Sequence, residues 1–183
     1  MYGRIMSFLR NMKVRLKRIS NMENKMKIRK SSRAIVLNKN NQIFLFQYKF
    51  DYLADNKVIW ITPGGSLEEG ESFEVALKRE LFEELGVQLD RNCPEIYYRN
   101  SLYAMKNGEV IQSIEKFFLV SLEDEQFSYD HWTESEKQRM LEGKWWSLEE
   151  IRQSEEVFFT TDIIRILMEL SNNKTPSGPQ EIA

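Results

Sequence analysis

"TPGGSLEEGESFEVALKRELFEELGV", residues 62–87, decides how this chain is read. It places seven glutamates behind a Pro-Gly-Gly turn. The residue types from about Ser72 to Leu85 favour a helix, and Gly86 supplies a C-terminal stop. On a wheel of about 100° per residue with Glu80 at zero, Phe73, Leu77, Leu81 and Leu85 fall between roughly 20° and 140° and form the stripe expected to be buried. Glu80, Glu83 and Glu84 then share an arc of about 100° that overlaps the edge of that stripe. Glutamates that merely meet solvent would lie opposite it.

Adjacent carboxylates beside apolar surface repel one another and lose hydration, so they either raise their pKa values or call for a cation. Oxygen-only ligands suit a hard divalent ion, and two or three carboxylates completed by water and substrate phosphate suit Mg²⁺. Ala76, inside the same arc, is expected to leave room for an ion. Gly64 and Gly65 allow backbone to approach it closely. A charge-rich surface helix with pairs such as Arg79 to Glu83 would explain the wheel without any metal.

The spacing separates these readings. Gly65, five residues, Glu71, seven residues, and then Arg79-Glu80-Leu81-Phe82-Glu83-Glu84-Leu85-Gly86-Val87 resembles the Nudix hydrolase signature at every defined position. The flanks are similar too: "SRAIVL" ahead of it, Trp60 just before "PGG", and "KWWSLEEI" near the end, together covering about residues 31–170. The resemblance implies an α/β/α sandwich with a mixed β-sheet. It also implies metal-dependent hydrolysis of a diphosphate bond in a nucleoside diphosphate linked to another moiety.

Carried over by position, it makes Glu80, Glu83, Glu84 and the backbone carbonyl of Gly65 the ligands of Mg²⁺, with Mn²⁺ as a substitute. Glu71 and Arg79 become the supporting pair. The base that takes a proton from the attacking water comes either from a box glutamate, Glu83 or Glu80, or from a later carboxylate. Among the later ones Glu115, in "SIEKFF", is preferred over Glu134 and Glu136 in "HWTESEK". Tyr103, sixteen residues beyond the box, is a candidate substrate contact and resembles a mark of diadenosine polyphosphate hydrolases. The alternative is a Nudix-fold module that binds or senses a nucleotide without turnover; the box retains all its acids. Isopentenyl diphosphate isomerases need a cysteine ahead of the box, whereas Cys93 follows it.

Around this centre, "SRAIVLNKNNQIFLFQYK" reads as a hairpin, "KVIWIT" as a short strand, and "EIYYRNSLYAM" with "EVIQSIEKFFLVSL" as a second hairpin about "KNGE". A short helix in "HWTESEKQRMLEG", a strand at "KWWSL", and helices in "SLEEIRQ" and "TTDIIRILMEL" follow. The class is α+β with a mixed sheet between helices. Three segments result: a basic N-terminal extension at 1–30, a Nudix domain at 31–171, and a disordered tail at 172–183.

The 183 residues suit one domain, and 42% hydrophobic content suits a globular one. The apolar runs fall far short of a membrane span. A lone cysteine and a lone histidine exclude an intramolecular disulfide and a Cys/His zinc site, and a cytoplasmic compartment is expected. Residues 1–30 carry ten Lys or Arg against one acid, while the remainder carries 16 basic and 27 acidic residues. That leader is expected to be dispensable for hydrolysis of a small nucleotide. The expected partner is a nucleotide or its derivative. Nucleic acid is not expected beyond a capped RNA 5′ end, and a homodimer is compatible with the sequence.

Overall fold

Strands β1 (Lys27–Leu37) and β2 (Ile43–Phe50) form the centre of the sheet, and their side chains alternate between two buried faces. In β1, Ala34 and Val36 point one way, Ile35 and Leu37 the other, and none exceeds 7% exposure. A run this continuously apolar suits a strand covered on both sides. The computed structural model describes residues 27–53, 55, 57–123 and 127–183. The basic segment 1–26, and what was expected of it, lie outside those residues.

The remaining elements are β3 (Lys57–Ile61), α1 (Phe73–Leu85), β4 (Glu95–Ala104), β5 (Val110–Ser121), α2 (Glu134–Arg139), β6 (Met140–Trp146), α3 (Leu148–Gln153), α4 (Ile163–Ser171) and β7 (Gln180–Glu181). Among the described residues they make one sheet in the order β3-β2-β1-β5-β4-β7, with β6 also paired to β2. Both expected hairpins are present and antiparallel, whereas β1 and β5 run parallel, so the sheet is mixed.

Helix α1 covers one face through Leu77, Leu81 and Leu85, which pack with Ala34, Val36, Phe44, Phe46, Phe118 and Val120. Ile151 of α3 and Ile163, Ile166, Leu167 and Leu170 of α4 cover the other face with Ile35, Leu45 and Phe117. The result is an α/β/α sandwich. Each fully buried side chain of this size contributes about 1.5–3 kcal/mol.

Local chemistry sets the helix ends. The hydroxyl of Ser72 accepts the Val75 N–H at 3.3 Å and caps α1, while the Gly86 N–H donates to the Phe82 carbonyl at 2.9 Å. The carbonyls left over at that end find partners in the loop after β5: Leu85 accepts the Ser128 N–H and Glu84 accepts the Trp132 indole N–H at 2.8 Å. In α3 the Ser147 and Glu150 side chains reciprocally satisfy each other's backbone N–H groups. Among the described residues no helix is long and apolar enough to cross a membrane.

Two segment boundaries differ from the sequence reading. β1 begins at Lys27, so residues 27–30 are strand and not leader. Residues 172–183, read as a disordered tail, instead return to the sheet: β7 pairs with β4, Ile182 is 4% exposed in the core, and the Ala183 N–H donates to Asp162. Their polar composition signalled disorder, but one buried isoleucine and a free sheet edge outweigh it.

Candidate active site

The glycine turn brings backbone to the helix. Gly64 has φ +121°, and a Cβ there would overlap the Ser32 carbonyl oxygen and lie 3.0 Å from Arg33 Cα. Next to it, a Cβ on Gly65 would fall 2.6 Å from the carboxylate carbon of Glu80. At Gly64 only a residue without a side chain lets the turn sit against the β1 backbone, while at Gly65 its absence leaves the space that the Glu80 carboxylate occupies. Gly64→Ala is therefore expected to lower stability by at least about 2 kcal/mol, measured by denaturant unfolding. A variant as stable as the parent would mean the turn is free to move.

Glu80 and Glu84 are 7% and 4% exposed and line one cavity of about 190 Å³ together with Gly64 and Gly65. Burial pushes the Glu84 carboxyl well above its ordinary range, and the neighbouring Glu80 charge pushes further; the Gly64 N–H, 2.6 Å from Glu84 Oε2, opposes them. Burial likewise raises Glu80 in spite of the Arg79 guanidinium beside it. Two buried carboxylates with raised pKa values form a site that gains from a cation.

Arg79 organises the patch. It forks onto Glu71, Nε to Oε1 and Nη2 to Oε2, both at 2.9 Å, and Nη2 also donates to the Ser66 carbonyl. Its Nη1 donates to Glu80 at 3.0 Å and to Glu83 at 2.9 Å. The Arg79 fork holds the Glu71 carboxyl down at about 2. Ala76, expected to leave room for an ion, is itself fully buried. With Glu83 turned to Arg79 and Glu84 to the Gly64 amide, no three His, Cys, Asp or Glu side chains converge on one point among the described residues.

A family model for the NUDIX domain matches residues 27–165. The chain belongs to the Nudix family. Among curated proteins none matches it. Solved structures that share the fold include a MutT protein from Methanosarcina mazei Go1, 19% identical over 81% of this chain and 96% of that one, with a TM-score of 0.54. An ADP-ribose pyrophosphatase from Streptococcus suis 89-1591 is 15% identical over 83% and 98%, with a TM-score of 0.54. The NUDIX domain of Shewanella oneidensis NrtR, complexed with ADP ribose, is 16% identical over 82% and 89%, with a TM-score of 0.55.

In this Nudix chain the later carboxylates have unequal settings. Glu115 is 5% exposed on β5, and guanidinia occupy both its oxygens: Arg33 Nε donates to Oε1 at 3.0 Å, and Arg99 Nε and Nη2 donate to Oε2 at 2.9 and 2.6 Å. Burial alone would raise its pKa, but Arg33 and Arg99 together bring it below the ordinary value. A low-pKa carboxylate with both oxygens bound is a poor proton acceptor. The preference for Glu115 as base thus meets a physical obstacle. Glu134 pairs with Lys137 at the surface. Glu136 lines the cavity of Glu80 and Glu84, although its Oε2 also caps Thr133.

Tyr103 lines a second, larger cavity of about 320 Å³, together with Tyr52, Ser31 and Arg99. Arg29, Arg33, Phe50, Tyr52 and Ile61 border both cavities, so the two form one cleft. The arginines of this cleft had gone unrecognised in the sequence. The signal was period two: Arg29, Ser31 and Arg33 alternate along β1 on the face that carries Ile35 into the core, a polar run where an apolar one belongs.

Proposed function

We propose that this Nudix chain hydrolyses a diphosphate bond in a nucleotide derivative. The observation that carries the reading is the buried carboxylate pair Glu80 and Glu84, facing Gly65 in one cavity, where among the described residues Arg79 pairs with Glu80 and no cation pairs with Glu84. Glu80, Glu83, Glu84 and the Gly65 carbonyl would hold Mg²⁺ or Mn²⁺. The all-oxygen donor set fits such an ion, and Glu83, whose side chain is 40% exposed, is the freest of the three to turn toward it. When bound, the ion offsets phosphate charge and lowers the pKa of a coordinated water.

The chain's own groups do the rest. Arg79 and Glu71 hold the first carboxylates in place through a fixed fork. Glu83, backed by Glu80, takes the proton of the attacking water, a role for which Glu115 is badly placed. The larger cavity takes the organic part of the substrate, with Tyr103 in its wall.

A panel of nucleotide sugars, dinucleoside polyphosphates, ADP-ribose, noncanonical nucleoside triphosphates and capped RNA ends tests the reading. Each compound is assayed with Mg²⁺, with Mn²⁺ and with excess chelator. At least one is expected to release a nucleoside monophosphate or phosphate with metal and none with chelator. The ADP-ribose named for the two fold relatives makes it the first compound to try. Nucleotide binding with no product from any compound would instead establish a binding module, and turnover undiminished by chelator would remove the metal from the account.

A further inference from the structure

Four cationic side chains line the larger cavity, and their charges are not equally available. Arg33 is paired with Glu115 and also donates to the Gly64 carbonyl; Arg99 is paired with Glu115 and donates to the Phe159 carbonyl; Lys57 is paired with Asp55 at 2.7 Å. Arg29 differs. Among the described residues no carboxylate pairs with it. Its Nε donates to the Ser66 hydroxyl at 2.6 Å, and Tyr103 and Tyr52 stand beside its guanidinium.

Arg33 shares Arg29's position between the cavities but, being paired with Glu115, does not share its free charge. Arg29 borders both cavities, with Glu80, Glu84 and Gly65 on one side and the chamber of Ser31, Ser101, Ser113 and Tyr103 on the other. The strand register builds the chamber floor: Arg29 lies opposite Ser113, which lies opposite Ser101, and Ser31 lies opposite Glu115, which lies opposite Arg99. Ser31 is 1% exposed and its hydroxyl has no hydrogen-bond partner among the described residues, so a buried polar group there is left for a ligand. At about 320 Å³ the chamber is near the lower end of small-molecule sites, about 300–1,000 Å³, which suits a single nucleoside-sized group.

A guanidinium left without a counter-ion at the neck of such a cleft favours an anion, and its planar fork matches phosphate oxygens. Ser66 ties that anion site to the glutamate patch, because its hydroxyl holds Arg29 while its carbonyl accepts from Arg79. We propose that Arg29 binds the phosphate that remains attached to the nucleoside after cleavage, so that the chamber and its neck constitute a nucleoside 5′-monophosphate site. This rests on the reading of the cleft as a nucleotide hydrolase site, but it concerns binding and needs no metal.

The test is calorimetric titration, in excess chelator, of the full chain with AMP, GMP, CMP and UMP, each compared with its own nucleoside. At least one monophosphate is expected to bind more tightly than its nucleoside. Arg29→Gln should weaken that binding on the order of tenfold to a hundredfold and leave the nucleoside within about threefold, with Arg29→Lys between the two. Metal-free binding that depends on Arg29, in a protein that hydrolyses nothing on the substrate panel, would uphold this site and sink the hydrolase reading alone. Three results would overturn the proposal: no monophosphate binding by the parent at millimolar concentration, Arg29→Gln binding within about threefold of the parent, or equal loss of monophosphate and nucleoside.

Discussion

Glu83→Gln is expected to lower kcat on any compound the protein turns over by on the order of 10²–10⁴-fold, with stability almost unchanged. Glu83 is the carboxylate with the least structural duty. Its contact is a single ion pair with Arg79 at 2.9 Å, and its side chain is 40% exposed, against 10% for that of Glu80. A glutamine keeps the oxygen that Arg79 contacts and removes the charge that would hold a cation or take a proton. Steady-state kinetics beside a thermal melt make the measurement. A variant with near-normal kcat would show that the proton acceptor lies elsewhere in the cleft, with Glu136 the next group to replace.

The second large effect falls on stability. Glu115→Gln removes the carboxylate that, among the described residues, forms the ion pairs of Arg33 and Arg99, whose side chains are 11% and 20% exposed. Breaking a buried pair by deleting one partner costs about 3–5 kcal/mol, because the remaining charge stays desolvated. For a chain of this size that is a drop in Tm of roughly 10 °C. The pH dependence has a definite sign. Glu115 has a folded pKa below the ordinary glutamate value of 4.5, so its contribution is fully present above that value and is lost as pH falls through the folded pKa. The gap in stability between the parent and the variant should therefore be widest near neutrality and close in acid. A variant with unchanged Tm but abolished turnover would restore Glu115 as the base.

The glutamate patch was legible in the sequence because its geometry is local. Glu80, Glu83 and Glu84 are set on one side of α1 by helical spacing alone, and the helix itself was marked by Ser72 at its start and Gly86 at its end. Strands and hairpins were likewise visible, since turn residues and alternation act over a few positions. The spacing of the box marked the resemblance to the Nudix family, that resemblance implied the sandwich, and the box named each of its acids.

The tertiary structure decided what lies opposite that helix. Glu115 contacts Arg33 across 82 positions and Arg99 across 16, and only the register of β1 and β4 against β5 brings the three together. In the sequence Glu115 was an isolated acid in an apolar strand; in the fold it is the counter-ion of two arginines. Arg29 was counted as part of a basic leader, and it is instead the third residue of β1, at the cleft's neck, held by Ser66 at 37 positions' distance. A deletion of residues 1–30 would remove it, whereas one ending at residue 26 leaves β1 whole. Residues 172–183 read as a tail until Ile182 found the core. Charge, polarity and composition are properties of a residue, but which charge compensates which, and which remains free for a ligand, depends on distances that only the packed sheet sets.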